Sequence, residues 1–150
     1  MNEGETMPRL LLLVACEKVL SDDATKAPTL VGILQGVQVD LKPGQTVDAN
    51  STVPLRWCVY SMWRLDEGEP PAYDIRAQLM TADGKILLES AQKAIELTGE
   101  GKRASARFLN FPVGQAGELQ VRVSYRAQGT NGNWVEAGSY PIRVTHKQTS

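Results

Sequence analysis

Few side chains in this 150-residue chain could do chemistry, and they are scattered. His146 is the only histidine, so any nucleophile would have one possible imidazole base. It stands close to the C-terminus, where chains fray and catalytic geometry is hard to hold. Cys16 and Cys58 are the only thiols and lie far apart in sequence. A structural zinc site ordinarily draws on closely spaced ligand pairs, and none is present. Gly129 to Asn133 (GTNGN) lacks the Lys-Ser/Thr and the following helix of a phosphate loop. The acidic runs Asp22-Asp23 and Asp66-Glu67-Gly68-Glu69 could offer hard oxygens to calcium, but short acidic runs more commonly solvate loops. Nothing fixes two carboxylates at a hydrolase separation. These absences predict a non-enzymatic protein with no catalytic residue, no metal and no cofactor.

The guanidinium groups are more suggestive. Arg56 and Arg64 alternate with Cys58, Tyr60 and Met62 in LRWCVYSMWRL, and Arg122 and Arg126 alternate with apolar residues in LQVRVSYR. If those two segments are neighbouring strands, Arg56, Arg64, Arg122 and Arg126 share a face with Tyr60 and Met62 between them. Guanidinium forks over aromatic rings suit a phosphate, a carboxylate or a protein partner. The plainer alternative is a solvated sheet face whose charges discourage aggregation. An apolar strip rimmed by arginine reads as a protein contact more readily than as a nucleotide site.

The elements that must position these residues follow from periodicity. Trp57, Val59 and Trp63 alternate with the arginine-bearing face, and Leu119, Val121, Val123 and Tyr125 form another inward row. Tyr73, Ile75, Ala77 and Leu79 make a third, and Tyr140, Ile142 and Val144 a closing one, with Pro141 predicting an edge position or a bulge. Val31, Ile33, Val37 and Val39 fit one strand that starts near Thr29. Pro43-Gly44 predicts a type II turn and Ala82-Asp83-Gly84 a hairpin turn. KAIEL could be a strand or a turn of helix, and RASARFLNF resumes strand character. About eight or nine short strands between Gly, Pro and Asn loops predict an all-β, immunoglobulin-like antiparallel sandwich with little helix. Cys58 directly follows Trp57 and Cys16 lies on an early strand, which departs from the Cys, Trp, Cys spacing of antibody domains. A disulfide between them stays open.

The segment PRLLLLVACEKVL admits two readings. Leu13-Val14-Ala15-Cys16 resembles the end of a lipoprotein signal, but Glu3, Glu5 and Arg9 give it an acidic start, and the unbroken apolar run spans only Leu10 to Ala15. A strand buried on both faces accounts for it better. No apolar stretch approaches the roughly 18 residues of a membrane span. The formal net charge of −1 recruits neither nucleic acid nor an anionic membrane. Composition, with 42% hydrophobic and 22% charged residues, is that of an ordinary globular chain. A flexible segment over 1–8, one sandwich domain over 9–145 and a tail over 146–150 are expected.

ACEKVLSDDATKAPTLVGILQGV, WCVYSMW, FPVGQAGELQVRVSYR and SYPIRV occur in that order over most of the chain. Together they resemble an uncharacterised family of small bacterial β-sandwich proteins, a domain of unknown function. The resemblance implies a cytoplasmic bacterial protein in which Cys16 belongs to the folded domain. The expected role is an interaction or accessory protein, with a protein partner or a second copy of itself as the occupant. A sensor of a small anionic ligand or nucleotide over the arginine face is the alternative.

Overall fold

A computed structural model describes residues 8–21, 23–25, 27–64, 72–96, 102–129 and 132–149. Among them are ten strands and no helix: β1 Arg9–Ser21, β2 Pro28–Ile33, β3 Gly36–Leu41, β4 Thr52–Arg64, β5 Ala72–Met80, β6 Ile86–Glu89, β7 Lys93–Glu96, β8 Lys102–Pro112, β9 Gly117–Ala127 and β10 Val135–Gln148. They form two sheets, one ordered β2-β1-β4-β8 and the other β3-β10-β9-β5-β6, with β7 also on β5. The fold is the all-β sandwich that alternation predicts, with ten strands where about eight or nine were expected.

Alternation explains which side chains meet between the sheets. Ala15, Trp57, Val59 and Trp63 come from the four-stranded sheet. Ile75, Ala77, Leu79, Leu119, Val121, Val123, Tyr125, Ile142 and Val144 come from the six-stranded one. Strand side chains point to opposite faces at period two, so each strand supplies one row to this core. Each fully buried aliphatic side chain contributes about 1.5–3 kcal/mol. Trp63 sits edge-on to Tyr125 at 6.0 Å, and its indole donates to the Ser61 hydroxyl at 2.8 Å.

The structure corrects three expectations. The strand expected from Thr29 through Val39 is two strands in different sheets, β2 on β1 and β3 on β10. The crossing falls at Leu34-Gln35. The Leu34 amide donates to the Ala15 carbonyl at 2.8 Å, and its carbonyl accepts from the Tyr140 hydroxyl at 2.7 Å. The Arg143 amide then donates to the Gln35 carbonyl at 3.1 Å, which starts the new pairing. Because β3 runs beside β10 in the same direction, the sandwich is not wholly antiparallel. Finally, β10 continues through His146, which pairs with Val39. Its Nε2 lies 2.6 Å from the Val113 carbonyl, so His146 is a strand residue and not part of a frayed tail.

The first strand is not buried on both faces as expected: among its described residues only Ala15 and Cys16 are buried, and Leu11 and Leu12 are exposed. The turn and proline predictions fit. Pro141 lies opposite Gln120 of β9 but precedes the first β3 pairing at Arg143, so on the β3 side it holds the predicted edge position. Gly44 takes the positive φ of 78° that a type II turn needs, closed by the Gln45 amide on the Lys42 carbonyl at 3.0 Å. KAIEL supplies β7, a strand end to end with β6 along β5. The acidic run Asp66-Glu67-Gly68-Glu69 and Asp22 of the other run lie outside the described residues, which contain no group of three or more potential metal ligands.

Candidate functional site

The register of β1, β4 and β8 fixes the outer face of the four-stranded sheet. Leu12, Met62 and Arg103 share one row across it, and Val14, Tyr60 and Ser105 the next. Ile33, Cys16, Cys58 and Arg107 make a third. Arg9 stands opposite Arg64 at one end, and Arg56 and Lys18 lie at the other, beside Arg107. The rows carry six cations and no carboxylate, with apolar Leu12, Met62 and Ile33 among them. A chain of net charge −1 thus carries five of its nine arginines on this one face.

This is the arginine face expected from Arg56 and Arg64, but its other members differ. Arg122 and Arg126 lie on β9, in the opposite sheet, and so do not join Arg56 and Arg64. They are also engaged there. Arg122 pairs with Glu136 at 3.3 Å. Arg126 lies 4.4 Å over the Trp134 ring, which Arg76 also approaches at 4.2 Å. Arg126 also donates to the Gln92 amide oxygen at 3.4 Å. Their places are taken by Arg103 and Arg107 of β8. The signal was present in RASARF, where Arg103, Ser105 and Arg107 alternate. What sequence could not supply was the neighbour, because β5 to β7 intervene in the chain between β4 and β8.

Tyr60 also differs from expectation. It lies on the outer row yet keeps 1% exposure, and its hydroxyl is buried without a hydrogen-bond partner. Burial pushes its phenol pKa up, partly offset by the charge of Arg103. It therefore supports the face from within and offers little surface to a ligand. A buried hydroxyl with no partner costs roughly 1–3 kcal/mol of desolvation. Tyr60→Phe is accordingly expected to keep or raise stability, by up to about 1 kcal/mol, in a urea-unfolding comparison. A clear loss would mean that the hydroxyl makes a bond in solution.

The open part of the face is a cleft. β1 and β4 pair only as far as Cys16 and Cys58. Beyond that point β1 follows β2, while β4 follows β8 through a bulge between Pro54 and Trp57. The divergence leaves a cleft of about 300 Å³ with Lys18, Arg56 and Arg107 around it, Glu17 on its rim, and Trp57, Phe108 and Leu109 as apolar lining. Trp57 and Phe108 stack at 4.7 Å and so fix the lining. Arg56 and Arg107 have neither ion pair nor hydrogen bond among the described residues. Leu109 is the most exposed large apolar residue described, at 69%.

No protein-family model and no curated protein matches the chain. Solved structures do resemble it, at a distance. The N-terminal domain of PorA is 20% identical over 91% of this chain and 98% of its own, with a TM-score of 0.35. The C-terminal domain of wzt is 8% identical over 95% and 80%, with a TM-score of 0.48. A β-glucosidase from Listeria innocua is 11% identical over 96% of this chain and 17% of its own, with a TM-score of 0.41. All are remote in sequence and in backbone. The site geometry must therefore carry the functional reading.

Proposed function

We propose that this chain is a non-enzymatic interaction module whose four-stranded face docks an acidic, partly apolar segment of another protein. The observation that carries this is the cleft between Arg56 and Arg107, two guanidiniums without ion pair or hydrogen bond among the described residues, where Lys18 adds a third cation and Glu17 is the one carboxylate of the lining. A carboxylate held by a guanidinium fork gains two parallel charge-assisted bonds. Leu109, Ile33 and Met62 would bury apolar groups of the same segment. A second copy of this chain is a poorer occupant. A two-fold contact places the same patch on both sides, so the guanidiniums of Arg56 and Arg107 would face their own copies. Cytoplasmic action belongs to the same proposal, supported by two free thiols and by Cys16 lying buried in mid-strand.

Fluorescence polarisation with acidic peptides that carry Leu or Phe tests the docking reading. Arg56→Glu with Arg107→Glu should weaken binding by at least about tenfold, or ~1.4 kcal/mol, while Arg122→Glu on the other sheet leaves it unchanged. Equal loss with Arg122→Glu, or none with the double variant, would overturn it. The same cleft also favours a second reading, a small anion, because about 300 Å³ reaches the lower end of ligand-pocket sizes. Thermal stabilisation by inorganic phosphate or simple carboxylates, removed by the double variant, would select that reading.

A further inference from the structure

Cys16 and Cys58 are direct register partners on adjacent antiparallel strands, and their Sγ atoms lie 3.5 Å apart. Cross-strand pairs hold their Cβ atoms at about 4.5–5.5 Å, just beyond the roughly 3.5–4.5 Å that a disulfide spans. A small rotation of the two side chains, with no exchange of strand partners, therefore brings the sulfurs into bonding range. The two thiols are not equivalent. Cys16 is fully enclosed, whereas Cys58 keeps 6% exposure and lines the cleft. Arg107 is its register partner on β8, and Arg56 lies on the same cleft. Of the two sulfurs, that of Cys58 is therefore the one a small oxidant in the cleft can reach.

We propose that Cys16 and Cys58 are an oxidisable dithiol that closes to a disulfide within the sheet on exposure to a peroxide, with Cys58 as the attacking thiol. The Cys58 sulfur attacks one peroxide oxygen and the O–O bond breaks. The departing oxygen leaves as water, carrying the Cys58 thiol proton, and Cys58 is left as a sulfenic acid. The Cys16 sulfur then attacks Cys58, the S–O bond breaks, and the Cys16 proton leaves with that oxygen as a second water. Overall, two thiols are oxidised and one hydrogen peroxide is reduced to two waters. Before oxidation, burial and then the neighbouring Cys58 push the Cys16 pKa up to about 12. Cys16 is thus a poor first attacker, and converting Cys58 to the neutral sulfenic acid removes one cause of that shift. The chemistry needs only the thiol pair and the cleft, whatever docks on the face.

The test treats the folded full chain with hydrogen peroxide, counts thiols in denaturant, and maps the linkage by mass spectrometry after non-reducing digestion. Both thiols should disappear together into a Cys16–Cys58 linkage within one chain, and dithiothreitol should restore them. With Cys16→Ala, dimedone should label Cys58; with Cys58→Ala, Cys16 should stay unlabelled. Two intact thiols after peroxide, linkages only between chains, or dimedone labelling of Cys16 in the Cys58→Ala variant would overturn the proposal. The thiol count on the unaltered chain decides it even if neither variant folds.

Discussion

Trp57→Ala is expected to cost about 3–5 kcal/mol of unfolding free energy, the range for deleting a fully enclosed large aromatic. For a single domain, a loss of this size is a large share of the total, since net stabilities run about 5–15 kcal/mol. The indole is 1% exposed, stacks on Phe108 at 4.7 Å and tilts against Phe111 at 5.1 Å. Its Nε1 donates to the Asn110 carbonyl at 2.9 Å, bridging the strands where the β4 bulge interrupts their ladder. Trp57→Phe separates the two contributions. It keeps most of the packing and loses the bridge, for an expected cost of about 1–2 kcal/mol. Urea unfolding followed by far-ultraviolet circular dichroism measures both. If the two variants cost the same, the hydrogen bond rather than the stack would be holding that end of the sheet. The effect should reach the cleft, because the stack forms its lining; binding at Arg56 and Arg107 is expected to weaken in Trp57→Ala.

Gly114→Ala is expected to destabilise by roughly 3 kcal/mol, at the upper end of overpacking costs, because the obstacle is backbone. A Cβ at this position would overlap the Ala49 carbonyl and stand 2.7 Å from the Asp48 oxygen. A flexible side chain could swing aside, but the 48–51 loop is held. The Ser51 amide donates to the Asp48 carbonyl at 3.0 Å, and the Val113 amide donates to the Ser51 carbonyl at 2.9 Å. Val113 also meets His146 through its carbonyl. Gly117→Ala is a useful contrast: a Cβ there meets nothing within 4 Å, but φ is +130°. Strain of backbone conformation and steric overlap are thus separable in neighbouring glycines. If Gly114→Ala unfolds at the same urea midpoint as the unaltered chain, the loop does not pack as described.

What could be read from the sequence was whatever depends on period two. The inward rows of β4, β5, β9 and β10 were legible because their core side chains recur at every second position, and a slip of one residue would reverse that pattern. Gly44 and the Ala82-Asp83-Gly84 turn were legible from turn chemistry. The break at Leu34-Gln35 was not, because Val31, Ile33, Val37 and Val39 keep one parity although the chain changes sheets between them. The candidate site was half legible for a related reason. Arg56 and Arg64 define a face by their spacing alone, but which strand lies beside them depends on long-range pairing, which no local pattern encodes. Tyr60 takes the outward side that alternation predicts, but alternation gives a direction and says nothing of how much lies above the ring.

The parallel pairing of β3 with β10 also has a bearing on how the chain comes off the ribosome. Val37 waits for Val144, so the edge formed by β3 stays open until more than a hundred further residues have been made. Sandwiches dominated by such distant pairings fold in milliseconds to seconds, and open strand edges recruit other chains in that interval. A chain ended before Arg143, and so without the 143–148 stretch of β10 that meets β3, should therefore aggregate.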